Sequence, residues 1–350
     1  MPDLRVTLGS LTLANPVLAA AGTFGYGLEF AKAVPLKRLG GIVTKTLTLR
    51  PREGNPPPRV VETASGMLNA VGLQNIGLDA FLREKLPALR AHGTPVIVSV
   101  LGETDAEVGE LVRALDGAEG VAAVELNLSC PNLQHRSRLK AQGSTVPVSE
   151  PPRPDPVRGG RAPPARPGPG RASPEPRRVA LVAHDADAAA ALMAAARRAS
   201  RKPLIAKLSP DVTDLVPIAQ AVQRAGADAV TLGNTYVGMS FDAATRRSRL
   251  GAATGGLSGP AIRPLAVYRV WYTASSLSIP VIGLGGIARG DDAVEFFLAG
   301  ASAVAVGTAT FADPRAPLRV LEELERYCAR HRVASLAELR GAAAAPAGPA

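Results

Sequence analysis

The sequence has few cysteines, few aromatic residues and no long apolar run, and each shortage excludes a class of protein. Its 350 residues contain two cysteines, Cys130 and Cys328, so neither a disulfide framework nor a cysteine-based metal site is expected. Aromatic residues make up 4%, too few for the stacking surfaces that bind single-stranded nucleic acid. No run reaches the roughly 18 apolar residues of a membrane-spanning helix, and the residues after Met1 lead us to expect no signal peptide. These features predict a cytoplasmic protein without a metal ion or membrane contact.

The formal charge of +10 is concentrated in one segment. Between Gln134 and Arg178 the chain has ten Lys or Arg, three Asp or Glu, and eleven of its 31 prolines. The net +7 of this stretch leaves +3 for the rest, so nucleic-acid binding by the folded part is not indicated. Such a composition cannot bury enough apolar surface to offset the entropy of ordering. We therefore expect residues 133–178 (the Pro/Arg tract) to be disordered, and also the Ala/Pro-rich tail at 341–350.

Outside the tract, short apolar runs alternate with longer amphipathic segments. The eight runs that we interpret as strands are residues 17–21, 41–45, 95–101, 122–126, 203–208, 228–233, 280–283 and 302–306. They are rich in Val, Ile and Ala without polar alternation, which fits a parallel sheet covered on both faces. Eight βα units in series predict an α/β fold, a single (β/α)8 TIM barrel over residues 1–340 that the Pro/Arg tract interrupts. An open doubly wound sheet is the alternative, but residues 22–27 (GTFGYG) do not match its glycine fingerprint.

Amphipathic periodicity also predicts the helices and the N-terminal region. Helices are expected over residues 78–91, 105–115, 187–198, 212–225 and 291–298. Residues 4–7 and 11–13 flank Gly9-Ser10, which predicts an N-terminal β-hairpin that closes the bottom of the barrel. Cys328 lies in a further amphipathic helical pattern, so we expect it to be structural.

Chemically active side chains follow the predicted strands at the end where barrel enzymes have their active sites. The segment 127–132 (NLSCPN) follows the fourth strand. Its thiol, with an ordinary pKa of about 8.5, can exchange a proton, and its two amides can hold a planar ligand with carbonyl and N–H groups. A small buried cysteine is the alternative. Lys45 and Lys207 end apolar strands, which indicates an anionic ligand, with surface exposure of the ammonium groups as the alternative.

Three glycine-rich segments indicate a phosphate site. Residues 283–287 (GLGGI) and 306–309 (VGTA) follow the last two strands, and residues 254–260 (TGGLSGP) precede a helix. Glycine lets the backbone N–H groups approach a phosphate closely, as in the usual barrel phosphate site. One glycine pair alone would be explained by a tight turn, but three at adjoining loops predict a phosphorylated cofactor.

Together these motifs resemble the dihydroorotate dehydrogenases, FMN-dependent (β/α)8 enzymes of pyrimidine biosynthesis. The segments that carry the resemblance are residues 44–46, 69–75, 127–132, 207–210, 234–235, 254–260 and the two terminal glycine motifs. The loop cysteine is similar to class 1, and residues 69–73 and 254–259 most resemble the class 1B catalytic subunit. This resemblance implies oxidation of dihydroorotate to orotate by one FMN per chain. It also implies a homodimer, within a heterotetramer whose iron–sulfur flavoprotein subunit carries FAD and [2Fe-2S] and passes electrons to NAD.

The resemblance further implies roles for individual residues. Cys130 would remove a proton from C5 of dihydroorotate while hydride leaves C6 for N5 of FMN, and Lys207 would stabilise the reduced ring. The implied substrate-binding residues are Lys45, Asn69, Ala70, Val71, Gly72, Leu73, Asn127, Asn132, Asn234 and Thr235. The implied FMN-binding residues are Ala21, Lys45, Thr46, Ser99, Asn127, Lys207, Gly233, Gly259, Gly285, Gly286, Gly307 and Thr308. No metal ligand is implied.

The chain departs from the family immediately after Asn132, where the Pro/Arg tract replaces a short loop that covers the substrate. Closure entropy rises slowly with loop length, so the barrel should tolerate the tract, but a disordered lid threatens the positioning of Cys130. A natural insertion, a regulatory lid and a local reading-frame error are the alternatives. Gly233 stands where the family commonly has a larger aliphatic residue. Competing functions are another FMN-dependent pyrimidine oxidoreductase similar to dihydropyrimidine dehydrogenase, a catalytically impaired FMN-binding scaffold, and a polyanion-binding arm formed by the tract.

Overall fold

The computed structural model describes residues 2–129 and 182–343, and its centre is a closed barrel of eight parallel strands. In chain order the strands are β1 (Val6–Leu8), β2 (Leu11–Leu13), β3 (Val17–Ala19), β4 (Gly41–Val43), β5 (Val60–Thr63), β6 (Gly66–Asn69), β7 (Val96–Val100), β8 (Val121–Asn127), β9 (Leu204–Leu208), β10 (Ala229–Leu232), β11 (Tyr236–Gly238), β12 (Phe241–Asp242), β13 (Arg247–Ser248), β14 (Gly255–Ser258), β15 (Val281–Leu284) and β16 (Ala303–Val306). The barrel order is β3-β4-β7-β8-β9-β10-β15-β16, with β16 pairing back to β3. The predicted TIM barrel is confirmed, and each of its strands falls on a predicted run.

Helices follow the barrel strands and cover their outer face. The α-helices are α1 (Leu78–Ala80), α2 (Leu86–Arg90), α3 (Asp105–Asp116), α4 (Ala186–Ala199), α5 (Val216–Arg224), α6 (Arg263–Ala274), α7 (Gly290–Leu298), α8 (Ala309–Ala312) and α9 (Ala316–His331). A π-helical turn, Phe81–Lys85, joins α1 to α2. Short 3-10 helices are Leu28–Phe30, Leu36–Arg38, Val182–His184, Pro260–Ile262 and Leu336–Glu338. In the described ranges, no helix has the length and apolar content needed to cross a bilayer.

Side-chain caps and proline set where the helices begin. Thr104 Oγ1 accepts the backbone N–H of Glu107 at 3.2 Å, which caps α3. Asp185 Oδ1 caps α4 by accepting two backbone N–H groups at 3.0 Å. The helix predicted from residue 212 begins only at Val216, because Pro217 fits the first turn of a helix and not its interior.

The N-terminal hairpin closes the bottom of the barrel, as predicted. β1 pairs with β2 in antiparallel register. Leu8 and Leu13 are fully buried and pack with inward-facing barrel residues such as Ile97, Ile205 and Ile282. Each fully buried aliphatic side chain contributes about 1.5–3 kcal/mol, so the hairpin is an integral part of the core.

A separate four-stranded antiparallel sheet, which we call the roof sheet, has the order β11-β14-β6-β5. Val60, Asn69, Gly256 and Val237 form one row across it. The adjacent row turns Val61 and Leu68 to the other face, where they pack in a small apolar cluster with Leu250. The sequence interpretation missed this sheet, because its strands of three or four residues lie within segments dominated by turn residues.

Candidate active site

A cavity lies at the carboxyl ends of the barrel strands, bounded on one side by the roof sheet. Its volume is about 1140 Å³, including the solvent at its mouth. The residues that line it are Ala20, Ala21, Gly22, Thr23, Lys45, Thr46, Val60, Met67, Asn69, Val71, Gly72, Leu73, Asn127, Lys207, Asn234, Thr235, Ser258, Gly259, Ile262, Leu284, Gly285, Gly286, Gly307, Thr308 and Phe311. They come from seven of the eight barrel strands or the segments that follow them, which is where a TIM barrel assembles its chemistry.

Asn127 is fixed by hydrogen bonds on both atoms of its amide. Its Nδ2 donates to Thr46 Oγ1 at 3.1 Å, and Thr46 Oγ1 is 3.0 Å from Ser99 Oγ. Its Oδ1 accepts the Ser129 hydroxyl at 2.9 Å and the Ser129 backbone N–H at 3.2 Å. Since an amide N carries two hydrogens, one donor of Asn127 has no partner among the described residues and can serve a ligand.

The same hydrogen-bond chain continues to Asn234 on the other side of Ser129. Asn234 Nδ2 donates to Ser129 Oγ at 2.7 Å, and its Oδ1 accepts the Thr235 backbone N–H at 2.7 Å. Thr235 packs so closely on Gly256 that a Cβ there would collide with the threonine hydroxyl. Asn69 Nδ2 donates to the Gly256 carbonyl at 3.2 Å. The amides of the barrel and of the roof sheet are therefore held in one connected arrangement.

Two lysines give the cavity a positive charge. Lys207 is 5% exposed and Lys45 is half-buried, and both line the cavity. Within the described part of the chain, no Asp or Glu lines it and neither ammonium group has an ion-pair partner. Burial lowers the pKa of Lys45, the nearby Arg59 lowers it further, and Glu29 opposes the shift. This arrangement favours an anionic ligand, because no direct ion pair neutralises either ammonium group.

The segment 69–73 borders the cavity, and hydrogen bonds from neighbouring residues fix its backbone conformation. Asn55 Nδ2 donates to one carbonyl of this segment at 2.9 Å, and the Asn55 backbone N–H donates to another at 3.0 Å. Arg59 Nε in turn donates to the Asn55 carbonyl at 2.6 Å. Gly72 (φ 74°) lies against Asn55, and Leu73 has φ 59°, which is unusual for a branched residue. The backbone conformation is thus imposed by its surroundings.

The glycine motifs form a concave backbone surface at one end of the cavity. Gly259, Gly285 and Gly286 all have positive φ, and a Cβ on Gly286 would lie 2.9 Å from the Gly259 carbonyl oxygen. Gly307 differs, because the nearest atom to an added Cβ is Ala20 Cβ at 3.6 Å, an ordinary contact. Nothing in residues 2–129 and 182–343 sterically requires glycine at 307. The surface therefore fits a phosphorylated cofactor that occupies this space and contacts backbone N–H groups.

Most of the site residues expected from the sequence line this one cavity. They are Ala21, Lys45, Thr46, Asn69, Val71, Gly72, Leu73, Asn127, Lys207, Asn234, Thr235, Gly259, Gly285, Gly286, Gly307 and Thr308. Ser99, Ala70 and Gly233 do not line it. Ser99 lies behind Thr46, and Ala70 is buried in the apolar cluster of the roof sheet. Cys130 and Asn132, together with the Pro/Arg tract, lie outside the described residues.

Gly233 has a structural reason to be glycine. It has φ 137°, and a Cβ there would collide with the Leu284 carbonyl oxygen on the neighbouring strand. Glycine at this position thus permits a close approach of the backbone after β10 to β15.

Several lining residues were missed by the sequence interpretation. Val60 and Met67 of the roof sheet and Phe311 after the last barrel strand look like core residues in the sequence, yet Val60 and Phe311 are 43% and 58% exposed. Ser129, the hub of the hydrogen-bond chain, was also missed. Its place between Asn127 and Cys130 was the available signal.

Comparisons with known proteins bear on the family and the fold. The family model described as dihydroorotate dehydrogenase matches residues 3–146 and 172–328. The dihydroorotate dehydrogenase B (NAD(+)) catalytic subunit of Geobacter sulfurreducens is 47% identical over 341 residues, which cover 97% of this chain and 98% of that protein. The protein of the same name from Citrifermentans bemidjiense is 44% identical with the same coverage. A crystal structure of DHODH from Eimeria tenella, in complex with ferulenol, has a TM-score of 0.72 at 22% identity, covers 98% of this chain and 89% of that one, and supports the fold.

Proposed function

Since the chain belongs to the dihydroorotate dehydrogenase family, we propose that it oxidises dihydroorotate to orotate in pyrimidine biosynthesis, with FMN in the cavity as the hydride acceptor. The observation that carries this proposal is that three side-chain amides, two lysines and the concave backbone surface of the glycine motifs all line one cavity. Amides match the carbonyl and N–H groups of a pyrimidine. The lysines match a carboxylate and a phosphorylated cofactor.

Cys130 is the proposed base. Forming the ring double bond removes a proton from C5 of dihydroorotate and a hydride from C6, so a group on this chain must take the proton. Cys130 follows Ser129 directly, and Ser129 is tied to Asn127 and Asn234 by hydrogen bonds of 2.7–3.2 Å. These bonds anchor the chain at the residue before the base. The residue type also supports Cys130 as the base, because a cysteine thiol has an ordinary pKa only slightly above neutral pH and can therefore exchange a proton.

The substrate contacts are proposed for groups that already have fixed orientations. The remaining donor of Asn127, the amide of Asn69 and the second lone pair of Asn234 Oδ1 face the pyrimidine, with Thr235 assisting. Asn132, which lies outside the described residues, is a further contact proposed from its residue type alone. Lys45 pairs with the substrate carboxylate, and the segment 71–73 covers the ring, with Ala70 behind it in the apolar cluster of the roof sheet. A site of oriented polar groups rejects ligands that leave those groups unsatisfied.

The cofactor contacts are proposed for two sides of the cavity. Gly259, Gly285, Gly286, Gly307 and Thr308 hold the phosphate end through backbone N–H groups. The residues proposed to contact the flavin ring are Ala21, Lys45, Thr46, Asn127 and Lys207. Ser99 and Gly233 are proposed to act indirectly, Ser99 through Thr46 and Gly233 through the backbone of β10. The glycine at 307 supports this assignment, because an added Cβ there would make only ordinary contacts at 3.6–3.8 Å with the described residues.

Electron transfer beyond this chain is proposed to involve a second protein. The relatives are named catalytic subunits of NAD(+)-linked enzymes, which implies another subunit for them. We extend this to a homodimer of the present chain within a heterotetramer, whose iron–sulfur flavoprotein carries FAD and [2Fe-2S] and reduces NAD. On α6, Leu265, Tyr268, Trp271 and Tyr272 are 40–58% exposed. An apolar face of this kind supports an interface with protein.

The test is an anaerobic titration of the FMN-loaded protein with dihydroorotate, followed at about 450 nm, where oxidised flavin absorbs. The expected result is rapid bleaching, slowed by on the order of 10²–10⁴-fold in Cys130→Ala, because the proton has no acceptor. Cys328→Ala is the matched control, since that buried thiol lies in α9.

The competing readings give different results in the same cuvette. Bleaching by dihydrouracil and not by dihydroorotate would assign a different pyrimidine as substrate. Bound FMN that stays oxidised with both would indicate a scaffold without turnover. Either result would overturn the proposed function.

A further inference from the structure

Two buried charges of opposite sign have no direct partner. Among the described residues, the buried charged side chains are Glu125, Lys207 and Asp292. Asp292 forms an ion pair with Arg263. Neither Glu125 nor Lys207 forms an ion pair within 4.0 Å in the same part of the chain. An isolated buried charge is strongly unfavourable, so each of the two needs compensation.

Both side chains belong to the interior of the barrel. Glu125 on β8 is the Cα partner of Ile205 on β9, and Ile205 packs in the barrel-interior cluster. Lys207 follows Ile205 by two residues on the same strand, so it also points inward. Glu125 Oε2 accepts the Thr231 hydroxyl on β10 at 3.0 Å, and Thr231 is the Cα partner of Lys207. The carboxylate therefore reaches across β9 to the residue beside Lys207.

One carboxylate oxygen lacks any hydrogen bond. Glu125 is 2% exposed, and its Oε1 is buried without a hydrogen-bond partner among the described residues. Lys207 is the buried cation on β9, the strand that pairs with β8, and it lines the cavity where the ligand is proposed to bind. In a low-dielectric interior, opposite charges interact over distances longer than an ion pair.

We propose that Glu125 is a positioning residue whose carboxylate is the counter-charge of Lys207, and that it limits the positive potential that the cavity presents to the flavin. The charge pairing is a property of the protein without cofactor. The flavin part rests on the proposed function.

The pairing is tested by a double-mutant cycle on the apoprotein with Glu125→Gln, Lys207→Met and the double variant, using urea unfolding. The expected result is a coupling of about fivefold or more in the unfolding equilibrium constant, because each single change leaves one buried charge uncompensated. Effects that add within about twofold would overturn the pairing. If Glu125→Gln alone does not fold, restored folding in the double variant supports the pairing and failure to restore it overturns it.

The flavin part is tested by the midpoint potential of FMN bound to Glu125→Gln. Loss of the negative charge should favour the reduced, anionic flavin about tenfold, which for two electrons is a rise of about 30 mV. Glu110→Gln on the exposed face of α3 makes the same charge change and should leave the potential unaltered. Lower stability with an unchanged potential would mean a purely structural role. If the wild type fails to bind FMN, the proposed function fails, while the apoprotein cycle still decides the pairing.

Discussion

At the scale of single residues, the cavity distinguishes glycines that the fold requires from one that it does not. Gly307→Ala should leave the apoprotein stability within about 0.5 kcal/mol, because the added Cβ meets only ordinary contacts. FMN affinity should fall by about tenfold or more, because the methyl group enters the proposed phosphate space. Thermal unfolding of the apoprotein and a flavin-fluorescence titration measure the two effects.

Gly109→Ala is the matched control for this substitution. Gly109 lies inside α3 with nothing within 4 Å of an added Cβ, so alanine should stabilise the protein by about 0.5–1 kcal/mol. Its FMN affinity should equal that of the wild type. Normal FMN binding by Gly307→Ala would contradict the proposal that the phosphate of FMN lies against Gly307.

Lys45 predicts a pH dependence. Its pKa lies below the ordinary lysine value, chiefly because of burial, so its charge opposes folding of the apoprotein below the lowered pKa, and this cost declines as the pH rises from the lowered pKa to the ordinary value. The proposed pairing of Lys45 with the orotate carboxylate needs the charged form, so the affinity for orotate should fall by up to about tenfold per pH unit above the lowered pKa. Calorimetric titrations across this range provide the measurement.

Two lysine variants test whether the pH dependence of orotate affinity comes from Lys45 or from an exposed lysine. Lys45→Arg keeps its charge to high pH and should remove the decline in affinity. Lys37→Met, at an exposed position, should retain it. A wild-type affinity that does not change with pH would contradict a role for the Lys45 charge.

At the scale of elements, the start of α7 fixes the loop that contains Gly285 and Gly286. Asp292 Oδ2 accepts the N–H groups of Ala288 and Arg289 at 2.8 and 2.9 Å, and the same carboxylate pairs with Arg263 of α6. Asp292→Ala should lower the free energy of unfolding by about 2–4 kcal/mol, since it removes a buried anion and leaves these donors unpaired. Urea unfolding measures the loss.

Asp291→Ala is the neighbouring control, because that side chain is exposed and should change the stability by less than about 1 kcal/mol. Equal losses from the two substitutions would show that the carboxylate of Asp292 has no special role.

Barrel strands and roof strands differ in how far the sequence predicts them. A run such as Val96–Val100 is buried on both faces, so its composition alone identifies it. The roof strand Tyr236–Gly238 is short and partly exposed, and its partner Gly255–Ser258 has two glycines, so pairing across long stretches of sequence determines the sheet. The amide residues were predictable as chemistry, but their shared hub at Ser129 depends on tertiary contacts.

At the scale of the whole molecule, charge is distributed very unevenly along the chain. Deleting residues 134–178 removes +7 of the formal +10. The shortened protein should therefore elute from heparin at lower salt than the full chain, because fewer lysines and arginines release counterions. Unchanged elution would contradict the idea of a polyanion-binding arm.

In the described part of the chain, the β1–β2 hairpin with Leu8 and Leu13 covers the bottom of the barrel, so the cavity opens only at the carboxyl ends of the strands. Two ligands that occupy this cavity must therefore enter and leave through the same opening. A ligand bound deeper can depart only after the one above it has left, so its residence time depends on its neighbour as well as on its own contacts. We therefore expect that, of two ligands bound at different depths, the deeper one is retained during repeated turnover.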